Sequence, residues 1–371
     1  MAGSALRWAA LNLCCAGQPG TRQRLLRDAA ARGGAGGGGA DGAPSILEIA
    51  AGLVEPRFEA AAARELERAR RDGARLLTPE DADFPALLRA ISDPPLVLYV
   101  RGALLPEDAL AVAVVGSRRA TPHGAHLAAA IAGGLGAAGF TVVSGLARGI
   151  DAAGHRGALA SGGRTIAVLG SGLDRIYPAE HRRLADRIAA RGAVVSELPF
   201  GAPPLARHFP ERNRIIAGLA WATVVVEAAR DSGSLITAAL ANEEGRSVHA
   251  VPGPVGTPNA EGPNALLRDG ALVCRSAGDV LEDLAPQIVE AARRHAPAPV
   301  AAAGTARRDL TAEQRRVLEA LPQGRGIGAE ELERRCALPA GTLLATLLEL
   351  ELLGLIRQIP GPRFLRAPCK I

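Results

Sequence analysis

Apolar runs at residues 111–115, 140–143, 165–169, 193–195, 222–226 and 247–251 recur with helix-length intervals between them. No other feature constrains the chain as much. Each run is short, continuous and rich in valine and alanine, so it reads as a strand covered on both faces. Such strands alternating with helices predict a mostly parallel sheet with helices on both faces, a Rossmann-like α/β core. Right-handed crossovers then carry the turn after every strand to one edge, the carboxyl edge of the sheet. An earlier run, Leu96 to Val100, follows Pro94-Pro95 and predicts one further short strand.

The turns at that edge are built from glycine and serine. Gly116-Ser117-Arg118, Ser144-Gly145 with Arg148-Gly149, Gly170-Ser171-Gly172 and Ser232-Gly233-Ser234 each follow an apolar run. A strand, a glycine turn and a helix start let backbone N–H groups approach a phosphate, and the helix dipole favours the anion. Arg118 and Arg148 add fixed positive charge. Each turn alone also reads as an ordinary strand-to-helix connection; their repetition at one edge is what points to an anion site. The densest polar stretch runs from Arg207 to Arg214 and holds Phe209, Arg212, Asn213 and Arg214. At least one of Arg212 and Arg214 is expected to face the carboxyl edge, with Asn213 bonding a turn. Guanidinium groups and a phenyl ring suit an anionic strand with stackable bases. The same arginines could instead pair with Glu211, Glu227 or Asp231 and tie the edge together.

Composition narrows the chemistry. The net charge of +5 over 371 residues permits a nucleic-acid partner without demanding one. Lys370 is the only lysine, which excludes a Walker lysine and a Schiff base. Cysteines at 14, 15, 274, 336 and 369 have no CxxC spacing, so reduced thiols in a cytoplasmic protein are expected. Neither a signal peptide nor a membrane span is expected. No Cys/His cluster offers a metal site, and Ser144 stands where a dinucleotide site would carry an acid, so no cofactor is expected. His155 and His181 read as structural. Ser117, Ser144 and Ser234 lack a His/Asp partner, so no catalytic residue is expected.

The flanks divide the chain into four parts. Residues 1–75 read as an N-terminal helical domain, either helix-hairpin-helix-like around Gly17 to Gly20 or a small structural cap, with a glycine-rich stretch at 33–42. The core spans 76–292, a linker 293–308, and a winged-helix-like domain 309–371 with helices 311–320, 329–336 and 342–353 and a hairpin tip at Pro360-Gly361-Pro362. Its third helix has no Arg, Lys, Asn or Gln and carries Glu349 and Glu351, which fits contact with protein better than base reading. A homodimer is expected through Ala238, Ala239 and Ala241, or through the segment from Leu266-Leu267 to Val273.

The ordered motifs Gly116-Ser-Arg118, Ser144-Gly-Leu-Ala-Arg-Gly-Ile-Asp151, Gly170-Ser-Gly-Leu-Asp-Arg-Ile-Tyr-Pro178, Ser196-Glu197, Phe209-Pro-Glu-Arg-Asn-Arg214, Glu227 with Ser232-Gly-Ser234 and Thr237, and Val251-Pro-Gly253 resemble those of the DNA processing protein A (DprA/Smf) family. The resemblance covers about residues 84–285. It implies a cytosolic bacterial protein that binds single-stranded DNA in natural transformation, protects it, and loads RecA while displacing single-strand-binding protein. It further implies a commonly dimeric core without catalytic activity. The residues expected at the DNA are Gly116, Ser117, Arg118, Ser144, Gly145, Arg148, Gly149, Gly170, Ser171, Gly172, Phe209, Arg212, Asn213, Arg214, Glu227, Ser232, Gly233, Ser234 and Thr237. Gly154-His155 replaces the family's usual Ala-His, and the N-terminal turn lacks a Gly-Ile-Gly, which puts DNA contact there in doubt. The alternative is a nucleoside-monophosphate phosphoribohydrolase of the LOG type, because Glu227 with Asp231 to Thr237 loosely resembles that family's phosphate turn. Its Pro-Gly-Gly-x-Gly-Thr-x-x-Glu pattern is not present.

Overall fold

The computed structural model of the chain describes residues 2–16, 19–31, 46–50, 54–297, 311–321, 327–352, 355–359 and 363–366. Two compact units divide it, residues 1–300 and 301–371. In the first, helices α1 (Ala2–Cys15), α2 (Pro19–Ala31), α3 (Ile46–Ile49) and α4 (Pro56–Arg71) lead into β1 (Ala74–Leu77), α5 (Ala86–Arg89) and β2 (Leu98–Gly102). The alternating part follows: β3 (Ala111–Val115), α6 (Pro122–Ala137), β4 (Thr141–Ser144), α7 (Ile150–Ala160), β5 (Thr165–Val168), α8 (Arg182–Arg191) and β6 (Ala193–Ser196). It continues through α9 (His208–Gly218), β7 (Ala222–Val225), α10 (Gly233–Glu243), β8 (Ser247–Ala250), α11 (Pro258–Arg268) and β9 (Leu272–Val273), and ends with α12 (Ala277–Asp283) and α13 (Pro286–Arg293).

The sheet runs β1-β2-β6-β5-β4-β3-β7-β8-β9. Pairing is parallel from β6 to β9, while β1 and β2 join antiparallel at the other edge. Every residue of β3 to β7 is buried, as the unbroken apolar runs require when helices cover both faces. The turns after β3, β4, β5 and β7 therefore share one edge.

Two expectations change. The boundary placed between 75 and 76 cuts through β1, and the N-terminal helices belong to the first unit. Trp8, Leu11 and Leu25 are buried with Leu96, Tyr99, Leu173 and Ile188. Those short helices enclose little core by themselves, so they bury their apolar faces on the sheet flank. A buried charge network fixes the joint. Arg22 of α2 and Arg214 of α9 both pair with Asp93 and Glu197, at 2.7 and 3.1 Å for Arg22 and 3.0 and 2.5 Å for Arg214. The second change is in α10, where Ala238 and Ala241 are buried and only Ala239 of the three alanines is open to a second copy. Leu272 and Val273 on edge strand β9 are 40% and 49% exposed.

The second unit holds α14 (Ala312–Ala320), β10 (Ile327–Gly328), α15 (Ala329–Cys336), α16 (Ala340–Leu352), β11 (Ile356–Ile359) and β12 (Arg363–Arg366), with an antiparallel sheet ordered β10-β12-β11. Val317, Leu332, Leu347, Ile356 and Phe364 form its core, in a winged-helix arrangement. The turn residues Gly17 and Gln18, the stretch 33–42, the linker from 298 to 308, the tip Pro360-Gly361-Pro362 and Cys369 lie outside the described residues. Among the described residues no helix is long and apolar enough to cross a membrane.

Candidate nucleic-acid interface

An open groove of about 230 Å³ lies on the carboxyl edge, over the turns that follow β3, β4 and β5. Arg118, Arg119, Gly145, Ala147, Arg148, Tyr177, Pro178 and Phe209 line it. Its centre is aromatic. Phe209, in the first turn of α9, lies on the backbone of Gly170, where an added Cβ would meet the ring at 3.0 Å. The Tyr177 ring stands 5.6 Å from it at 52°. The exposed Arg118 guanidinium sits 5.0 Å from the Phe209 centroid, at cation–π distance. Two ring surfaces and a planar cation thus form one pad. Arg119, also exposed, adds a second cation.

Arg148 is on the rim but engaged. Its Nε and Nη2 each donate to a Glu180 carboxylate oxygen at 2.7 Å. This fork-to-fork pair holds the Arg148 guanidinium above its ordinary pKa and the Glu180 carboxyl below its own, chiefly through the hydrogen bonds. Both side chains are more than half exposed, so the pair is open to exchange.

The expected backbone cradles are filled from within. After β4, the N–H groups of Gly145 and Ala147 donate to Asp151 Oδ2 at 3.1 and 3.3 Å, where a bound phosphate was expected. Gly149, at φ +72°, makes this tight turn possible, because a Cβ there would run into the Ser117 carbonyl oxygen. Burial pushes the Asp151 carboxyl up, and the nearby Arg212 pulls it back. Arg212 is itself buried and donates to the carbonyls of Gly145 and Val168. Burial lowers its pKa to about 10, so it remains a cation at neutral pH.

A second carboxylate fills the crevice between β3 and β7, where the strand order reverses and α/β proteins commonly bind ligands. Glu227 accepts from Thr121 N at 2.8 Å, Thr121 Oγ1 at 2.5 Å and Asn259 Nδ2 at 3.2 Å. Its own carbonyl accepts from Ser117 N at 2.6 Å. The N-terminus of α6 thereby carries the chain's own anion.

Of the residues expected at the DNA, the structure gathers Arg118, Gly145, Arg148 and Phe209 around the groove, with Gly170 beneath the ring. Others face elsewhere. Arg212 lies under the turns and Arg214 is in the charge network, so neither completes the groove. Ser144 Oγ donates to the Val114 carbonyl at 2.6 Å and Ser171 Oγ to that of Arg175 at 2.7 Å. Asn213 Nδ2 donates to Gly233 O at 3.0 Å, which ties α9 to α10. Ser232 and Ser234 bond one another at 2.8 Å, and Thr237 is buried. Gly116, Ser117 and Gly172 are packed in their turns and Gly233 is exposed at the start of α10, none of them lining the groove. The two histidines are buried: His155 Nδ1 meets Thr165 Oγ1 at 2.7 Å, and His181 Nδ1 meets the Leu146 carbonyl at 2.8 Å. Burial drives His155 down to about 3, so it stays neutral. Sequence reasoning missed Arg119, Tyr177, Pro178 and Glu180. The Tyr177-Pro178 pair stood within a quoted motif, but nothing local marked its ring as exposed.

Fold and site define a class: a Rossmann-like sheet with a cationic, aromatic-lined carboxyl edge, joined to a winged-helix unit. The chain belongs to the DNA recombination-mediator protein A family, whose model matches residues 75–285, and the DprA winged helix domain matches residues 297–362. Protein Smf of Synechocystis sp. is 38% identical over 328 residues, covering 81% of this chain and 82% of that one. A putative DNA processing protein DprA of Mycobacterium tuberculosis is 43% identical, covering 82% and 81%. Among solved structures, DNA processing protein A of Streptococcus pneumoniae is 39% identical with a TM-score of 0.56, covering 65% of this chain and 86% of that one. DNA processing protein A of Helicobacter pylori, described for its single-stranded DNA binding mode, is 28% identical with a TM-score of 0.51, covering 57% and 97%.

Proposed function

We propose that the groove binds single-stranded DNA, with Arg118, Arg119 and Arg148 on phosphates and bases stacked on Phe209 and Tyr177. The observation that carries this is the pad of Arg118, Phe209 and Tyr177 on an otherwise internally satisfied edge. Paired bases in a duplex have no free face for such a pad, whereas unpaired bases stack on it with little regard to sequence. The Helicobacter pylori relative's single-stranded DNA binding and the family's DNA-processing role support the reading. A phosphoribohydrolase would need the Glu227 carboxylate free at a nucleotide, and here Thr121 and Asn259 hold it.

Anisotropy titrations with labelled single strands and duplexes test the proposal. Single strands are expected to bind more tightly, with a log–log salt slope of roughly −0.7 per phosphate neutralised. Equal affinity for duplex at moderate salt would sink it. Glu180→Gln is expected to raise single-strand affinity roughly two- to fivefold, because Arg148 no longer exchanges one carboxylate for a phosphate. Unchanged binding would mean that Arg148 never leaves Glu180.

Membership of the family also motivates proposals about partners. The chain would load RecA onto strands covered by single-strand-binding protein, which RecA filament assays with and without the chain would read. A homodimer would form through edge strand β9, where Leu272 and Val273 are open. A monomer by light scattering at tens of micromolar, a range of roughly 7 kcal/mol in binding free energy, would exclude a stable dimer.

A further inference from the structure

We infer that helix α8 carries a second phosphate-binding track, which extends the path of a bound single strand beyond the groove. This inference rests on the reading of the groove as a single-strand site. Arg183, Arg187 and Arg191 follow one another at every fourth residue and are all exposed. On a helix that spacing sets them along one face, about 6 Å apart and about 12 Å from first to last. Leu184, Ala185 and Ile188, centred about 100° around the helix from that stripe, are buried. The stripe is therefore the outer surface of a fixed element.

Three features separate α8 from an ordinary solvated helix. The first is that Arg182, Arg183 and Arg187 have no ion-pair partner among the described residues. Arg191 gives a single hydrogen bond, to the Gly162 carbonyl at 3.3 Å. By contrast, α4 pairs Arg71 with Glu67 and places Glu59 in its first turn. The second is that α8 has no acid in its first turn, where Arg182 and Arg183 stand against the positive end of the helix dipole. An anion laid along the helix would relieve that repulsion. The third is that Asp186, the one acid on α8, already faces Arg101 at 3.4 Å.

The track is continuous with the groove. Residues 177 and 178 line the rim, Glu180 clamps Arg148, and His181 bonds the Leu146 carbonyl in the turn after β4. Helix α8 starts at the next residue. A strand leaving the pad past Tyr177 would reach the start of α8, where Arg182 and Arg183 stand.

The test compares the full chain with R183Q/R187Q/R191Q on two oligothymidylates, one of about 6 nucleotides and one of about 20. On the long strand the variant is expected to have a salt slope shallower by about 2, at roughly 0.7 per arginine. Between 50 and 200 mM salt its affinity would then fall roughly fifteenfold less than that of the unaltered chain. On the short strand the two should match. The single substitutions R183Q, R187Q and R191Q should each lower the long-strand slope by about 0.7, a reading that survives if the triple variant folds poorly. Unchanged long-strand slopes in the folded single variants would overturn the track. Equal losses on short and long strands would also overturn it, by making these arginines part of the groove. If the unaltered chain binds neither strand, the groove reading itself fails, and the track with it.

Discussion

Replacing Phe209 with alanine is expected to weaken single-stranded DNA binding by roughly five- to 150-fold, the effect of about 1–3 kcal/mol per stacked base. The ring is half-buried, so its pose is set before DNA arrives. It rests on Gly170, is flanked by Tyr177 at 5.6 Å, and has the Arg118 guanidinium at 5.0 Å. Little side-chain entropy remains to be lost on binding. The salt slope of this variant should barely change, because no phosphate contact is removed. Arg118→Ala should show the converse, a slope flatter by roughly 0.7. The two changes share a contact, so the double variant should lose less than the sum of the single losses. Salt titrations of all three chains on one oligothymidylate give both readings. A folded Phe209→Ala chain with unaltered affinity would remove stacking from the mechanism.

Arg214→Ala is expected to destabilise the first unit by about 3 kcal/mol without touching the groove surface. Arg214 and Arg22 together neutralise Asp93 and Glu197 where both arginines are largely buried. Removing one arginine leaves two carboxylates with one cation, and Arg22 limits the loss. Lysine at 214 keeps the charge but cannot reach both acids with a planar fork, so Arg214→Lys should fall between the two. Urea unfolding of the three chains measures the differences. A loss under about 1 kcal/mol would show that Arg22 alone suffices. The network also sets an acid limit. Burial would raise the Asp93 carboxyl, but Arg214 and Arg22 outweigh it and hold the group below its ordinary value. The unfolded chain then takes up a proton at about pH 4 that the folded chain resists. Stability from Asp93 is present above about pH 4 and is lost as the pH falls through the lower folded value. In Arg214→Ala that acid-dependent loss should shrink.

Much of the molecule follows from local pattern. Strands β3 to β8 stand within a residue or two of the apolar runs, since strands covered by helices are drawn mostly from valine and alanine. Parallel order and a shared edge for the turns follow from the helix-length intervals and right-handed crossovers. Of the two antiparallel strands, β2 stands two residues along from the run at Leu96 to Val100, whereas β1 and the helices that cap this edge were harder to read. Strand β1, Ala74 to Leu77, is interrupted by Arg75 and makes no continuous apolar run, and helices α1 to α4 acquire a core only by packing on a sheet formed by later residues.

By itself the sequence determined the sheet, the edge on which a ligand would lie, and the arginines and phenylalanine from which a site could be made. Only the tertiary structure decided which of them face outward. Arg118 and Arg212 are the same residue type near the same turns, yet one is exposed over Phe209 and the other is buried beneath Gly145 and Val168. The difference comes from the elements that carry them: Arg118 stands in the turn after β3, whereas Arg212 is on α9, which packs against the turns after β4 and β5, and no local periodicity encodes that packing. Likewise, Asp151 and Glu227 turned two expected phosphate cradles into closed internal contacts. Backbone N–H groups at a helix start attract whichever anion the fold brings to them, and here the fold brought its own.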